Sequence, residues 1–347
     1  MTRYFNIAGP CNKEKHYMIE AASRLQGVEY LIDTERYFVI HAARQSGKTT
    51  YMNDLAQRIN AAGKYYALYC SLEGMQKIVD VEKGIPEIVK IIKEALSYSQ
   101  IPVREDFAKN PDYSFFTGVL KQELTLFCMK LDKPLVILFD ESDCLSEGTL
   151  ISFLRQLRNG YINRINIPFV HSLALVGMRN IRDYKAKIRP DSESLGSASP
   201  FNIVTETFTL KNFTKEEISS LYRQHTDESG QIFEQDAIDL VYEQTQGQPW
   251  LVNAIVREVI VKMLQSDYTR PVTASLVDEA IQTIIVRRDT HIDSLLERLK
   301  EERVRSVIEP MLVGEDFFGR TTDDYQYVTD LGIIKSIEGK IQPSNPI

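Results

Sequence analysis

The sequence predicts an α/β protein with a parallel five-stranded sheet and flanking helices. Short apolar runs of strand length alternate with helical patterns over the first 210 residues, which is typical of a parallel sheet covered by helices. One run leads through a polar, glycine-containing loop into a helix, and another ends in two carboxylates. Ligands bind at the carboxyl edge of such sheets, so both features indicate a binding site there.

The five strands are predicted at Tyr37–His41, Tyr65–Leu72, Leu135–Asp140, Ser172–Val176 and Ile203–Leu210. Helices are predicted near Lys48–Ala62, Ile85–Ser97, Phe115–Lys130 and Thr149–Asn159. The stretch Arg189–Asn202 is rich in proline and serine and has no periodicity, so it is predicted to be a loop. These elements define a core domain over residues 1–210.

The pattern becomes helical after Leu210. A capping box at Thr214–Glu217 opens a helix that extends to about His225. Further helices are predicted at Gln235–Gln244, Trp250–Leu264 and Ala274–Arg288, without a strand, and form a helical lid over residues 211–290.

From His291 onward we expect a helix, a second helix near Asp323–Leu331, and a β pair at Ile333–Ile337 and Lys340–Gln342. This order is typical of a winged helix and defines a third domain, 291–347. The chain stops directly after an apolar strand, as a piece cut from a longer protein would.

Composition points to a soluble protein. Its 347 residues predict two or three domains, and 43% hydrophobic with 26% charged residues is ordinary for a globular chain. The segment Met1–Pro10 lacks the features of a signal peptide, and apolar runs such as Leu135–Phe139 are too short to cross a bilayer. The four cysteines form no CxxC pair, which indicates reduced thiols. We expect a cytoplasmic protein without membrane contact.

The segment Ala42–Thr49 (AARQSGKT) lies between a predicted strand and a helix, as a Walker A loop requires. Backbone N–H groups of the loop and of the first residues of the helix, including Thr50, would cradle the phosphates of ATP. Lys48 would contact the β- and γ-phosphates, and the Thr49 hydroxyl would ligate Mg²⁺. The loop residues concerned are Ala43, Arg44, Gln45, Ser46 and Gly47. Ala42 replaces the usual glycine, which a negative φ permits.

A buried strand with an acidic end is predicted at Leu135–Asp140, followed directly by Glu141. Asp140 would hold the Mg²⁺ shell, and Glu141 would orient and deprotonate the attacking water. Asp143 is interpreted as a supporting or capping acid. A solvated turn is the alternative, but a Walker A loop upstream favours Walker B. The strand and helices between the two motifs indicate the additional-strand class of P-loop ATPases.

The fourth strand is followed by Met178, Arg179 and Asn180. A polar group here could contact the γ-phosphate or the water, as a sensor-1 residue does. Arg179 and Asn180 both remain candidates, and an exposed arginine on a surface turn is the alternative.

A glycine and a proline separate two lid helices at Gln246–Trp250. Gly247 ends one helix and Pro249 starts the next, which needs no further function. A contact between Pro249 and adenine is a second interpretation. Arg257, on the following helix, is a candidate sensor-2 residue that would reach the phosphates, or simply an exposed arginine.

Together these motifs resemble those of AAA-like ATPases near the origin-recognition and STAND groups of AAA+ proteins. In detail the chain is similar, over nearly its whole length, to a bacterial family of AAA-like domain proteins. The segments that carry this likeness are Tyr4–Tyr17, the RQSGKTT loop, Gly148–Arg158 and Ser199–Ile203. The resemblance implies an ATPase core, a helical lid and a winged-helix-like end, and it implies that Asn6–Pro10 lies near the adenine. It carries no defined cellular task.

Three functions are compatible with these observations. The leading one is a nucleotide-dependent switch that hydrolyses ATP slowly and acts on a protein partner or on its own oligomer. An ATP-driven motor or loader on nucleic acid and an ATP-stabilised scaffold are the alternatives. Arg182 or Arg189 could serve as an arginine finger in an oligomer. With 41 basic and 48 acidic residues, the net charge of −7 does not indicate nucleic-acid binding, although one basic patch remains compatible with it.

A winged helix suggests DNA contact only by analogy. Its second helix carries Asp323, Asp324 and Asp330, which disfavour phosphate.

Overall fold

The structure is a computed structural model that describes residues 3–20, 24–102, 116–177, 204–288, 290–313, 323–337 and 340–347. Its contacts divide the chain into two compact units. The loop–lid unit comprises Met1–Arg24, Ala42–Thr50 and Leu210–Ile347, and the sheet unit comprises Leu25–His41 and Tyr51–Thr209. The N-terminal segment and the candidate phosphate loop therefore group with the lid, although the loop follows a strand of the sheet. The division into three sequential domains stays a prediction.

The sheet unit contains a parallel five-stranded sheet, which confirms the predicted fold class. Its strands are β1 (Tyr37–His41), β2 (Tyr66–Ser71), β3 (Leu135–Asp140), β4 (Ser172–Gly177) and β5 (Val204–Thr209). They lie in the order β2-β3-β4-β1-β5, and each neighbouring pair is parallel. Every residue of β1, β3 and β4 is buried. Burial on both faces explains why these strands are continuous apolar runs rather than alternating ones.

Five helices accompany this sheet: α1 (Val28–Asp33), α2 (Lys48–Ala62), α3 (Val81–Ser97), α4 (Phe116–Cys128) and α5 (Glu147–Asn163). The sequence did not predict α1, because six residues are too few for a helical period to show. α3 begins at Val81 rather than Ile85. Asp80 caps it by accepting a hydrogen bond from the Glu82 N–H, and the polar first turn hides the start from apolar periodicity.

The lid helices are α6 (Lys215–Ser229), α7 (Gln235–Thr245), α8 (Pro249–Arg257) and α9 (Ala274–Arg287). The capping box at Thr214 and Glu217 is present with both of its hydrogen bonds. The predicted helix Trp250–Leu264 is wrong as a single α-helix, because its second half, Glu258–Met263, is a π-helix. A π-segment leaves no mark in apolar periodicity at this length. The lid also contains one isolated bridge, between Phe233 and Val272, where no strand pairing was predicted.

The N-terminal segment is part of the hydrophobic core of the lid. Phe5 and Tyr17 are buried and belong to the same apolar cluster as the lid helices. The Phe5 ring lies 4.8 Å from the Tyr17 ring and 5.7 Å from the ring of Tyr222 on α6. Burial of these aromatic rings therefore fixes the position of the chain directly before Asn6–Pro10.

The C-terminal residues form α10 (Thr290–Arg298), α11 (Glu302–Leu312), α12 (Asp323–Asp330), β6 (Ile334–Ile337) and β7 (Lys340–Pro343). Two helices precede α12 where one was predicted, and β6 pairs with β7 in an antiparallel hairpin. The order of elements is compatible with a winged helix, which stays a prediction. Among the residues that the structure describes, no helix combines the length and the apolarity needed to cross a bilayer.

Candidate functional site

The backbone between Ala42 and Lys48 has the conformation of a phosphate-binding loop. Gln45 (φ 57°) and Gly47 (φ 89°) are left-handed and flank Ser46. Such alternation turns successive N–H groups inward to form a concave anion site. Gly47 adopts this conformation without the steric penalty of a Cβ. Ala42 is buried and is not among the described residues with positive φ, so the alanine replaces glycine without strain, as predicted.

The polar side chains of the loop suit a phosphate group. Lys48 is buried, and its Nζ donates to the carbonyls of Ala42 and Ala43 at 2.9 Å each. The Ser46 hydroxyl is buried and has no hydrogen-bond partner among the described residues. A buried unsatisfied hydroxyl costs about 1–3 kcal/mol, and a phosphate oxygen would accept its proton. The loop therefore fits the phosphates of ATP by its backbone, its cation and its free donor.

A turn of the lid lies against this loop, within the same unit. Gln248 caps α8, because its Oε1 accepts from the Leu251 N–H at 2.6 Å, and its Nε2 donates to the Gln45 carbonyl at 3.4 Å. Gly247 has a φ of 74°, and a Cβ here would be 1.8 Å from the Phe213 carbonyl oxygen. Glycine is therefore obligatory for backbone approach as well as for conformation.

Pro249 is the buried first residue of α8, as predicted, but its contact with adenine stays a prediction. Gln248 was missed by the sequence reasoning. Its position before a proline that begins a helix was the available signal for a capping side chain.

The N-terminal segment reaches the same neighbourhood. The Cys11 N–H donates to the Thr50 hydroxyl at 3.0 Å, and Trp250 Nε1 donates to the Ile7 carbonyl at 2.9 Å. Residues 7–11 thus contact both the start of α2 and the start of α8. The proximity of Asn6–Pro10 to the base stays a prediction that these contacts support. Thr50 contributes a side-chain contact that spacing alone did not indicate.

The turn between α12 and the C-terminal hairpin also contacts the loop. Gly332 has a φ of 77°, and a Cβ at this position would be 2.5 Å from the Cβ of Ala43. Lys335 Nζ, on β6, donates to Oε1 of Gln246 in the lid turn at 2.8 Å. Burial lowers the pKa of Lys335. No sequence pattern linked these residues to the loop. Gly332, for example, lies 289 positions after Ala43 in the chain.

The predicted sensor and finger residues divide into two groups. Arg257 ends α8, is partly buried, and makes no hydrogen bond or ion pair with any residue that the structure describes. Its sensor-2 role stays a prediction. Four other candidates lie outside the described residues: Arg179, Asn180, Arg182 and Arg189.

In the sheet unit, the acidic end of β3 is held firmly. Asp140 is buried, and its carboxylate accepts from the Tyr69 hydroxyl at 3.0 Å and from the Glu141 N–H at 2.9 Å. Glu141 itself has a left-handed φ of 54° and is partly exposed. Such a backbone is uncommon for a non-glycine residue and costs about 1–3 kcal/mol, so it is typically kept where function needs it. Tyr69 was missed, because an aromatic residue in a strand signals only burial.

The next residues attach this acidic end to β4. The Ser142 hydroxyl donates to the Val176 carbonyl at 2.8 Å, and the Asp143 carboxylate lies where a Cβ on Gly177 would be within 2.5 Å of it. Asp143 therefore packs against the end of β4, which favours the supporting role over the capping one. No group of three or more His, Cys, Asp or Glu side chains that could together hold a metal ion occurs in the described part of the chain. The roles of Thr49 and Asp140 as magnesium ligands stay predictions.

Comparison with known proteins gives the class and then the family. The structure of the Walker-type ATPase PABY2304 of Pyrococcus abyssi is similar with a TM-score of 0.65 at 14% identity, over 99% of this chain and 97% of that chain. The ORC2 protein of Aeropyrum pernix, in its ADPNP–ADP complexes, is similar with a TM-score of 0.51 at 12% identity, over 93% of this chain and 87% of that one. The chain therefore shares its fold with this Walker-type ATPase and with this ORC2 protein.

The family follows from the sequence itself. The model of the AAA-like domain family matches residues 12–342, and the chain belongs to this family. No curated protein matches it.

Proposed function

We propose that the protein binds Mg-ATP, hydrolyses it slowly, and acts as a nucleotide-dependent switch. One observation carries this proposal: the phosphate loop contacts both segments that could respond to its ligand. The Gln45 carbonyl accepts from Gln248 of the lid turn, and Ala43 lies against Gly332 in the turn before the C-terminal hairpin. A change in the loop backbone on nucleotide binding would therefore reach two further segments directly.

Different residues would serve in nucleotide binding and in hydrolysis. Lys48 and the Ser46 hydroxyl would bind phosphate oxygens, and the Thr49 hydroxyl would ligate the metal. Asp140, held by Tyr69, would orient the metal shell. Bound Mg²⁺ supplies neutralisation of the developing phosphate charge. Glu141 would accept the proton of the attacking water.

A switch is supported over a motor by charge. The net charge of −7 offers little electrostatic attraction to nucleic acid. A switch is supported over a scaffold by the lid contacts, because a ligand shifts a conformational equilibrium only through differential contacts with the two states. The Gln248–Gln45 hydrogen bond, at 3.4 Å, is a contact that a small loop movement would make or break. We propose that the partner is a protein or a second copy of this chain.

Hydrogen exchange tests the proposal directly. Protection of Leu210–Leu264 and of residues 323–347 is compared in ligand-free protein, with Mg-ADP, and with a non-hydrolysable ATP analogue. The switch requires that protection differs between the two nucleotides, while helix α4 in the sheet unit serves as the internal control. Equal protection in all three states would leave only the scaffold. Particle mass under the same conditions tests self-association.

A further inference from the structure

A buried arginine from outside the predicted site lies beside the phosphate loop. Arg24 is 8% exposed and donates through Nε and Nη2 to the Lys211 carbonyl and through Nη2 to the Ser46 carbonyl, the last at 2.9 Å. Its guanidinium lies 4.8 Å from the centre of the Phe213 ring. One side chain therefore joins the loop to the first residues of the lid.

In the described part of the chain, backbone carbonyls rather than a paired carboxylate compensate the charge of Arg24. No carboxylate lies within ion-pair distance of it in the part of the chain that the structure describes. Burial lowers the pKa of Arg24 to about 10, partly opposed by the field of Glu217, so the group stays protonated at neutral pH. A buried cation without a counter-ion is costly. Here the carbonyls of Lys211 and Ser46 compensate only part of the cost of burying the guanidinium. A buried cation beside an anion site therefore suggests a function for Arg24.

The geometry of the peptide group links the hydrogen bonds of Arg24 and Gln248 to the N–H groups of the loop. The carbonyls of Gln45 and Ser46 accept from Gln248 and Arg24, respectively. In a planar trans peptide, the C=O and the following N–H point in opposite directions, and the described chain has no cis peptide. Holding these two carbonyls therefore turns the N–H groups of Ser46 and Gly47 the opposite way. These are the N–H groups of the concave anion site.

We infer that Arg24 is a positioning residue for phosphate binding: by holding the Ser46 carbonyl against the lid at Lys211, it aims the Gly47 N–H at the phosphates of the bound nucleotide. Gln248 does the same for the neighbouring peptide. The linkage also explains how lid and loop would move together, because Phe213 donates its N–H to the Gly247 carbonyl at 2.8 Å. This inference rests on the proposed nucleotide binding.

Two substitutions and one control test it. Arg24→Met keeps the length of the side chain and removes its donors, and Arg24→Lys keeps the charge but replaces the planar guanidinium fork, which donates through Nε and Nη2, by a single ammonium nitrogen. Arg164→Met is the matched control, since Arg164 lies over an aromatic ring, at 3.9 Å from the Tyr161 centroid, and donates to the Glu35 carbonyl at 2.9 Å, within the sheet unit. Affinities for ADP and for adenosine are measured by calorimetry, because adenosine lacks the phosphates that the aimed N–H groups bind.

We expect Arg24→Met to weaken ADP binding about tenfold or more, which is the worth of one misaimed charge-assisted hydrogen bond. Adenosine binding should stay within about twofold of the parent, and Arg24→Lys should recover only part of the ADP affinity. Arg164→Met should leave both affinities unchanged.

Three results would overturn the inference. Full recovery in Arg24→Lys would mean that charge alone matters. A parallel loss of adenosine binding would mean that Arg24 only supports the fold. Unchanged ADP binding in Arg24→Met would remove it from the site. A parent protein that binds no ADP would instead refute the proposed function itself.

Discussion

The phosphate loop and the acidic end of β3 use their polar atoms in opposite ways. In the loop, the Ser46 hydroxyl is buried without a partner among the described residues, and the cation Lys48 donates to the carbonyls of Ala42 and Ala43. At β3, both oxygens of Asp140 already accept hydrogen bonds. The loop is thus built to be completed by a ligand, whereas the acid is oriented by the protein. Binding and hydrolysis should therefore be separable by mutation.

The largest expected effect is on binding. Lys48→Ala should weaken Mg-ATP binding by at least about 10²-fold, because the phosphates lose their buried cation and its charge-assisted hydrogen bonds. Calorimetry measures the affinity, and Lys64→Ala is the control, since Lys64 is an exposed lysine paired with Asp33. Parental affinity in Lys48→Ala would refute the assignment of the loop.

The next effect separates the two regions. Glu141→Gln should keep Mg-ATP bound while it lowers hydrolysis by about 10²-fold or more, because an amide cannot accept the proton of the attacking water. Phosphate release measures turnover, and Glu147→Gln, at the exposed start of α5, is the control. Unchanged turnover would assign the base to another residue and break the division of roles.

A pair of glycines tests the lid turn. Gly247 and Gly230 have nearly the same φ, 74° and 75°, but only at Gly247 would a Cβ meet a neighbour, the Phe213 carbonyl oxygen at 1.8 Å. Both alanine variants should be destabilised by left-handed strain, and Gly247→Ala should lose about 2 kcal/mol more. Denaturant unfolding measures the difference. Equal losses would show that the turn yields easily and is no rigid link to the loop.

A smaller effect concerns the orientation of the acid. Tyr69→Phe should lower hydrolysis about threefold to tenfold, since the Asp140 carboxylate loses one hydrogen bond that fixes it. Tyr66→Phe is the matched control on the same strand, because the Tyr66 hydroxyl donates at 3.0 Å to Asp132, away from the acidic pair. Identical turnover in the two variants would mean that the backbone alone positions Asp140.

The smallest expected effect is on DNA. At physiological salt we expect no measurable duplex binding and no stimulation of ATP hydrolysis, because a net charge of −7 provides little counterion release. Fluorescence anisotropy over a salt series measures this. Tight binding that persists at physiological salt would favour the motor alternative over the switch.

The sequence by itself determined the sheet, the phosphate loop and the acidic strand end. These features are local, because a strand that is buried on both faces requires a continuous apolar run, and the loop requires its residue types at fixed spacing. The same local reasoning gave the capping box at Thr214 and Glu217.

Only the tertiary structure decided which distant residues support the site. Arg24, Gln248 and Gly332 reach the loop from three separate segments, and Tyr69 reaches Asp140 from a neighbouring strand. A contact of this kind depends on how whole elements pack, so neither periodicity nor residue spacing in the sequence predicts it. Left-handed backbone at Glu141 is likewise invisible in a glutamate, because the surrounding fold, and not the residue's own preference, imposes it.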